Sequence, residues 1–225
     1  VKQSPGRLIT IEGGEGAGKS TFCRQFAKEL KKHGVPFIET REPGGTLIAQ
    51  QIRELFLSPP AGETLLPETE LFLIAAARAQ HIRQCIRPNL EQGKWVLCDR
   101  FYDSTRAYQG VLGGLAEDFI ETTIHHAVGA THPDVTFVLD VDAKVAAERV
   151  KQRAARQGAA DLESNRFDAA HLDHYQRLRE AFLDCARRYP DRMIILDGER
   201  SVEALVAEAW DYLVKRFAEA RTYRS

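Results

Sequence analysis

The chain has 225 residues, 44% of them hydrophobic and 28% charged, with Lys+Arg at 31 against Asp+Glu at 32 and a formal charge of −1. That make-up suits a single globular α/β domain with a real core, and it excludes a polycation built to grip nucleic acid. No apolar run approaches the roughly 18 residues of a membrane span, and Val1–Arg7 lead into the first β-rich run without a signal-peptide core, so a cytoplasmic protein is expected.

Short β-rich runs alternate with longer helical patterns, which predicts a parallel sheet with crossover helices. The first strand is expected over Leu8–Glu12. It runs straight into Gly13-Gly14-Glu15-Gly16-Ala17-Gly18-Lys19-Ser20, and a helix is expected over Ser20–Lys32. Strand, G-x-x-x-x-G-K-[ST] and helix in that order define a phosphate-binding loop rather than a plain Gly-rich turn. Glycines let successive N–H groups point at phosphate oxygens, and the helix adds the positive end of its dipole. Lys19 is expected to reach the β- and γ-phosphates of a nucleoside triphosphate and Ser20 to ligand Mg²⁺, with Thr21 beside them in the binding segment.

A second strand over Pro36–Thr40 leads into Thr40-Arg41-Glu42-Pro43-Gly44-Gly45-Thr46, a turn that exposes backbone to a ligand. Helices follow over Leu47–Leu57 and Glu68–Glu91, separated by the breakers Pro59-Pro60-Ala61-Gly62. Leu71–Ala77 is apolar on every side, so that helix is expected to be buried all round, against the sheet and a second subunit.

The third strand, Trp95–Asp99, ends in Asp99-Arg100. A strand-end Asp downstream of a phosphate loop is the usual partner of Mg²⁺, and Arg100 offers a planar fork for a phosphate or carboxylate. In a helix over Ser104–Val111, Ser104 with Tyr108 and Thr105 with Gln109 are four residues apart. They put hydroxyls, a ring and an amide on one face, a set that suits a nucleobase and sugar. Then come a helix over Ala116–Val128, a strand over Val135–Val141 and a helix over Ala143–Arg156.

Arg149, Lys151, Arg153, Arg156 and Arg166 crowd into this part of a neutral chain, and Arg149, Arg153 and Arg156 share a helical face. The phosphate loop has no arginine of its own, so cations on a closable segment are the natural source of charge for the reacting phosphoryl group. Gln157-Gly158-Ala159-Ala160 interrupts the basic stretch and predicts a mobile flap. A helix over Ala169–Tyr189, a strand over Met193–Asp197 and a helix over Val202–Ala220 complete the chain. Cys23, Cys85, Cys98 and Cys185 lie apart with no C-x-x-C pair and are expected as reduced, mostly buried thiols. Residues 1–225 read as one domain, with a lid at about 149–168.

GGEGAGKS, TREPGGT, and Asp99-Arg100 with Ser104 and Ala107-Tyr108-Gln109 together resemble the bacterial thymidylate kinases, from about Leu8 to Gly198. The resemblance implies a five-stranded parallel sheet flanked by helices, the P-loop NTPase fold of the nucleoside monophosphate kinase type with a flexible lid. It implies transfer of the γ-phosphoryl of ATP to dTMP, with Mg²⁺; the apolar helix around Leu71–Ala77 adds the expectation of a homodimer, and charge and hydropathy that of no nucleic-acid or membrane partner.

Carried over by position, Gly13 to Thr21 and Arg149 would hold ATP, with Ser20 and Asp99 on the metal. Glu15 would meet the sugar 3′-hydroxyl. Arg78 and Arg100 would hold the phosphate and base of dTMP, and Ser104 belongs to the same set. Thr105 and Gln109 would read the thymine edge, with Tyr108 under the deoxyribose and Pro43 and Gly44 in the pocket wall. Lys19, Asp99, Arg100 and Arg153, the last from the lid, would carry the chemistry.

Two departures stand out. Where the family has an aromatic ring about one turn before its matching arginine, this chain has Ile74. The family's short acidic-Arg-x-acidic pattern corresponds here to Asn165-Arg166-Phe167-Asp168, with Gln157–Ser164 as extra length. The alternatives are a kinase of the same fold with another substrate, a nucleotide-dependent switch, and an inactive relative. The chain has no N-K-x-D guanine motif, and Lys19, Ser20, Asp99 and Arg100 are all in place.

Overall fold

A computed structural model of the chain describes residues 5–157, 172–217 and 220. Five parallel strands, β1 (Leu8–Glu12), β2 (Phe37–Arg41), β3 (Trp95–Asp99), β4 (Val135–Asp140) and β5 (Met193–Asp197), form one sheet in the order β2-β3-β1-β4-β5. The order follows from the connections. β1 is central and pairs Leu8 with Val96 on one side and Ile9 with Val135 on the other. The chain goes out to the β2 edge, returns through β3, and crosses β1 to reach β4. All carboxyl ends therefore lie on one rim, where open α/β sheets collect ligands.

The pleat sorts the strand residues to two faces. Ile9, Ile11, Trp95 and Leu97 pack with α1 (Lys19–Lys32) and α9 (Val202–Arg216). Leu8, Val96 and Cys98 pack on the opposite face with α3 (Pro67–His81) and α6 (Glu117–Val128). In α1, Phe22, Cys23, Phe26, Ala27 and Leu30 recur at helical spacing, and all are buried. The Phe22 and Phe26 rings stack at 5.4 Å, and both approach Phe137 of β4. Each such ring adds about 2–3 kcal/mol of transfer free energy. The remaining helices are α2 (Leu47–Leu57), α4 (Arg87–Glu91), α5 (Tyr102–Thr105), α7 (Ala143–Gln157) and α8 (Leu172–Arg188). All four cysteines are free; Cys23, Cys98 and Cys185 are buried and Cys85 is half-buried.

Two expectations are corrected. The helix expected over Glu68–Glu91 is interrupted: α3 passes through a wide π-helical turn, Ile82–Ile86, before α4. Pro88 explains it, because its ring would strike the carbonyl of Gln84 in a regular helix and it has no N–H to give. The helix expected over Ser104–Val111 is likewise short α5 followed by a π-helical segment, Arg106–Leu112. In α3 one chain covers only part of the apolar surface, and the cover expected from a second subunit is outside what a single chain shows. Leu71, Ile74, Ala77, Arg78 and His81 form the buried stripe, whereas Phe72 is 56% exposed.

Strand and helix ends shift by one to four residues, as hydrogen bonding at frayed ends allows. Gly158 to His171 lie outside the described residues. The flap residues beyond Gln157, the Asn165–Asp168 match with Arg166, and the start of the helix expected from Ala169 fall there.

Candidate active site

The loop between β1 and α1 is shaped by where its glycines sit. Gly16 has φ +76°, and a Cβ there would lie 2.3 Å from the Ala146 carbonyl oxygen of α7, so neither the backbone nor the space admits a side chain. Gly18, in the left-handed region, caps α1, and its carbonyl accepts from the N–H groups of Thr21 and Phe22. Lys19 folds back over the loop, donating from Nζ to the carbonyls of Gly13 at 2.8 Å and Gly14 at 2.6 Å. Ser20 Oγ donates to Asp99 Oδ2 at 3.2 Å, so the α1 start and the β3 end meet.

Arg100 has φ +69°, which turns its side chain from the end of β3 back across the loop. Its Nη1 donates to the Gly13 carbonyl at 3.2 Å and to Ser104 Oγ at 3.1 Å, and Nη2 to Glu15 Oε1 at 3.2 Å. Tyr108 Oη also donates to Glu15 Oε1, and its ring lies 5.1 Å from the guanidinium. Burial works against the Glu15 charge, but Arg100 and Lys19 beside it hold the carboxyl below its usual range. Its second oxygen, Oε2, is buried and has no hydrogen-bond partner among the described residues.

A cavity of about 490 Å³ opens over these groups, a size suited to a small ligand. It is lined by Glu15, Gly16, Gly18, Lys19, Ser20, Thr21, Pro43, Ile74, Arg78, Asp99, Arg100, Ser104, Thr105, Tyr108, Gln109, Arg149 and Arg153. Short α5 and the π-helical segment after it together keep Ser104, Thr105, Tyr108 and Gln109 on the cavity side. Arg106 turns away to Asp103 and Glu121. Arg149 Nη1 donates to the Gly198 carbonyl at 3.1 Å, and Arg156 lines an adjoining cleft with Arg149, Gln152 and Arg153.

Gly13, Gly14, Ala17 and Gly44 are not brought to the cavity. The first three line a narrow cleft against Leu178 of α8, and Gly44 faces Arg41 and Gln50.

Further residues beyond the expected site residues reach the site. Phe56 and Leu57 of α2, Phe101, Arg24, Arg41, Glu42 and Arg53 also line the cavity. Glu12, at the end of β1, is buried and accepts from the N–H groups of Phe101 and Ser104 and from the Ser104 hydroxyl at 2.6 Å. Burial, with Asp103 nearby, pushes its carboxyl up to about 7.

The electrostatics point to an anion. Burial, then the charge of Arg100, pulls Lys19 down to about 8. Burial, then Arg41 and Arg100, pulls Arg53 down to about 10. Cations whose own charge is disfavoured gain most when a phosphate arrives. ATP binding is therefore expected to take up protons on Lys19: little at pH 7, about half a proton near pH 8 and close to one at pH 9. Titration calorimetry in two buffers of different ionisation enthalpy measures this directly. Equal heats in both buffers at pH 8.5 would contradict it.

The family model for thymidylate kinase matches residues 11–209. The thymidylate kinase of Bradyrhizobium sp. (strain ORS 278) is 43% identical over 98% of this chain and 96% of its own length. That of Magnetococcus marinus is 44% identical over 94% of this chain and 97% of its own. The solved thymidylate kinase of Ehrlichia chaffeensis superposes with a TM-score of 0.72 at 30% identity, covering 93% of this chain and all of that one. With a P-loop NTPase fold, the motif residues gathered at one rim, and likeness to these relatives over almost its whole length, the chain belongs to the thymidylate kinase family, phosphotransferases that use ATP to phosphorylate dTMP.

Proposed function

We propose that this site moves the γ-phosphoryl group of ATP onto the phosphate of dTMP, giving dTDP and ADP on the way to dTTP. The observation that carries the residue assignment is the Arg100–Glu15–Tyr108 cluster beside the phosphate loop. An ionised, buried Glu15 with one oxygen unmet among the described residues calls for a donor. A sugar 3′-hydroxyl supplies one. Tyr108, tied to the same carboxylate, would pack under the deoxyribose, where a 2′-hydroxyl would crowd its ring.

The phosphate loop cradles ATP, with Lys19 exchanging its contacts to the Gly13 and Gly14 carbonyls for phosphate oxygens. Arg149, across Gly16 and Gly198, belongs to the ATP side. Arg100 holds the acceptor phosphate in line. Arg78, Thr105 and Gln109 address the base, with Pro43 and Ile74 as walls. Ser20 Oγ and Asp99 Oδ2 are adjacent hard oxygen donors of the kind Mg²⁺ accepts alongside substrate phosphates. They would hold that ion, which when bound offsets phosphate charge. The acceptor phosphate is already ionised near neutral pH, so no general base is needed, and catalysis is alignment plus charge neutralisation. Arg153, on a lid of about 149–168 within a single domain, adds charge as the site closes and water is excluded.

Turnover is expected to rank dTMP above dUMP and far above UMP. One methyl is worth about 1–3 kcal/mol, so dUMP should lose roughly 10–200-fold in kcat/KM. Steady-state assays with the three monophosphates test the assignment, and UMP turned over as well as dTMP would remove it.

No helix among the described residues is long and apolar enough to cross a membrane. The four free thiols fit a cytoplasmic enzyme. The exposed side of α3 supports a homodimer: Phe72 meets Phe119 of α6 edge-on at 5.7 Å, and Leu66 nearby is exposed, as are Leu47, Ile48 and Leu55 of α2. Sedimentation at micromolar concentration is expected to give twice the 25.3 kDa chain mass. A species of 25.3 kDa would contradict it.

A further inference from the structure

His81, in the last turn of α3, was not singled out by any motif, yet it is fully buried at the root of the acceptor side of the cavity. Three of the seven residues of the Thr40–Thr46 loop converge on its ring. Its Nε2 lies 2.7 Å from Thr40 Oγ1, and its Nδ1 lies 3.0 Å from Glu42 Oε1. Gly45 sits flush over the ring: with φ +80°, a Cβ there would fall 2.3 Å from both Cδ2 and Nε2. Glu42 then passes the constraint on. Its Oε2 accepts from Arg78 Nε at 2.6 Å, while Arg78 Nη1 donates to Thr105 Oγ1 at 2.9 Å. With Nε and Nη1 used in this way and the guanidinium lying 5.5 Å over the Phe101 ring, Nη2 has no hydrogen-bond partner among the described residues, on a side chain that lines the cavity.

We infer that His81 is a positioning residue for the acceptor site: through the Nδ1–Glu42 link it fixes the carboxylate that aims Arg78 at dTMP. The inference rests on the dTMP-kinase reading above. Burial works to lower the basicity of the imidazole, but the neighbouring Cys85 and the hydrogen-bonded Glu42 overcome it and raise it to about 9. Both ring nitrogens then carry protons and donate, Nδ1 to Glu42 and Nε2 to Thr40. Glu42 thus sits between two cations, with each of its oxygens taken. A carboxylate held from one side only could swing with the Arg78 side chain, and the guanidinium edge would no longer meet the ligand at a fixed place.

Two substitutions separate this role from simple packing. The amide of His81→Asn falls at the Nδ1 position and keeps a donor for Glu42. That of His81→Gln falls at the Nε2 position and keeps a donor for Thr40 alone. Both shrink the same buried side chain. Calorimetric titration with dTMP, kcat, the KM for ATP and the thermal midpoint are measured for each.

The expected result is a dTMP Kd about tenfold or more weaker in His81→Gln and within about threefold of the parent in His81→Asn. ATP KM should change little in either, and the thermal midpoints should drop together. If the two variants bind dTMP alike, or His81→Asn is the weaker binder, Nδ1–Glu42 is not the aiming contact and the inference fails. If one variant does not fold, the other decides against the parent: a tenfold weaker Kd for His81→Asn, or an unchanged Kd for His81→Gln, overturns it. If the parent protein itself does not bind dTMP, the dTMP-kinase reading falls first and the role assigned to His81 falls with it.

Discussion

Replacing Arg100 by alanine is expected to lower kcat/KM for dTMP by about 10³-fold, with kcat and dTMP affinity both affected. Two losses combine. The first is a charge-assisted pair to the acceptor phosphate, present in the ground state as well as the reacting state. The second is internal: Arg100 is the cation that contacts Glu15 directly, and leaving that part-buried carboxylate without its charged partner costs about 1–3 kcal/mol. Glu15 would then rise toward neutrality, and the carboxylate offered to the sugar would be lost with it. Arg100→Lys should recover only part of the loss, because an ammonium cannot span the Gly13 carbonyl, Ser104 and Glu15 together. Steady-state kinetics with a parallel dTMP titration read both effects. A change below tenfold would show that the acceptor phosphate is held elsewhere.

Arg153→Ala is expected to behave differently: kcat falls by about 10²–10³-fold while dTMP binding stays within about threefold. Arg153 lines the cavity from α7, and Arg149 and Arg156 lie one turn away on the same face. A cation that meets the γ-phosphoryl only in the closed state stabilises the transition state selectively. Arginine fingers are worth about 10³–10⁵ in rate, and neighbours able to substitute put this one at the lower end. Single-turnover rates for Arg149→Ala, Arg153→Ala and Arg156→Ala decide among the three. If Arg153→Ala is nearly silent and one neighbour is not, the assignment within the lid moves. If all three are silent, this face is a solvated basic stripe.

What was legible in the sequence is what local chemistry dictates. Gly16 and Gly18 are written by backbone geometry, Lys19 and Ser20 by phosphate and hydroxyl chemistry, and the strands by short β-rich runs that all became parallel neighbours. Ser104, Thr105, Tyr108 and Gln109 were placed on one face by helical spacing, and they stayed together although the segment is partly π-helical. The helical spacing was wrong in detail and right in consequence.

Long-range pairing was not legible. Glu42 meets His81 39 residues away and Arg78 36 residues away, and no spacing rule joins a loop to the end of a later helix. Glu12 could be flagged as an acid at a strand end, but not as the acceptor that organises the turn after β3. Phe56 reaches the cavity because α2 lies beside α3, a packing fact absent from its own helix pattern. The all-apolar stretch Leu71–Ala77 marks a surface to be covered, but composition does not tell how much of it one chain covers by itself. Phe72 lies on the uncovered side.

The central claim is that this cavity joins ATP to dTMP, and dTMP-dependent conversion of ATP to ADP tests it most directly. ADP formation followed in real time with Mg²⁺ and ATP present should be near background without acceptor. It should rise in a saturable way as dTMP is added, with one dTDP formed per ADP. ADP formed at the same rate with and without dTMP, or dTMP consumed without a matching yield of dTDP, would contradict the account.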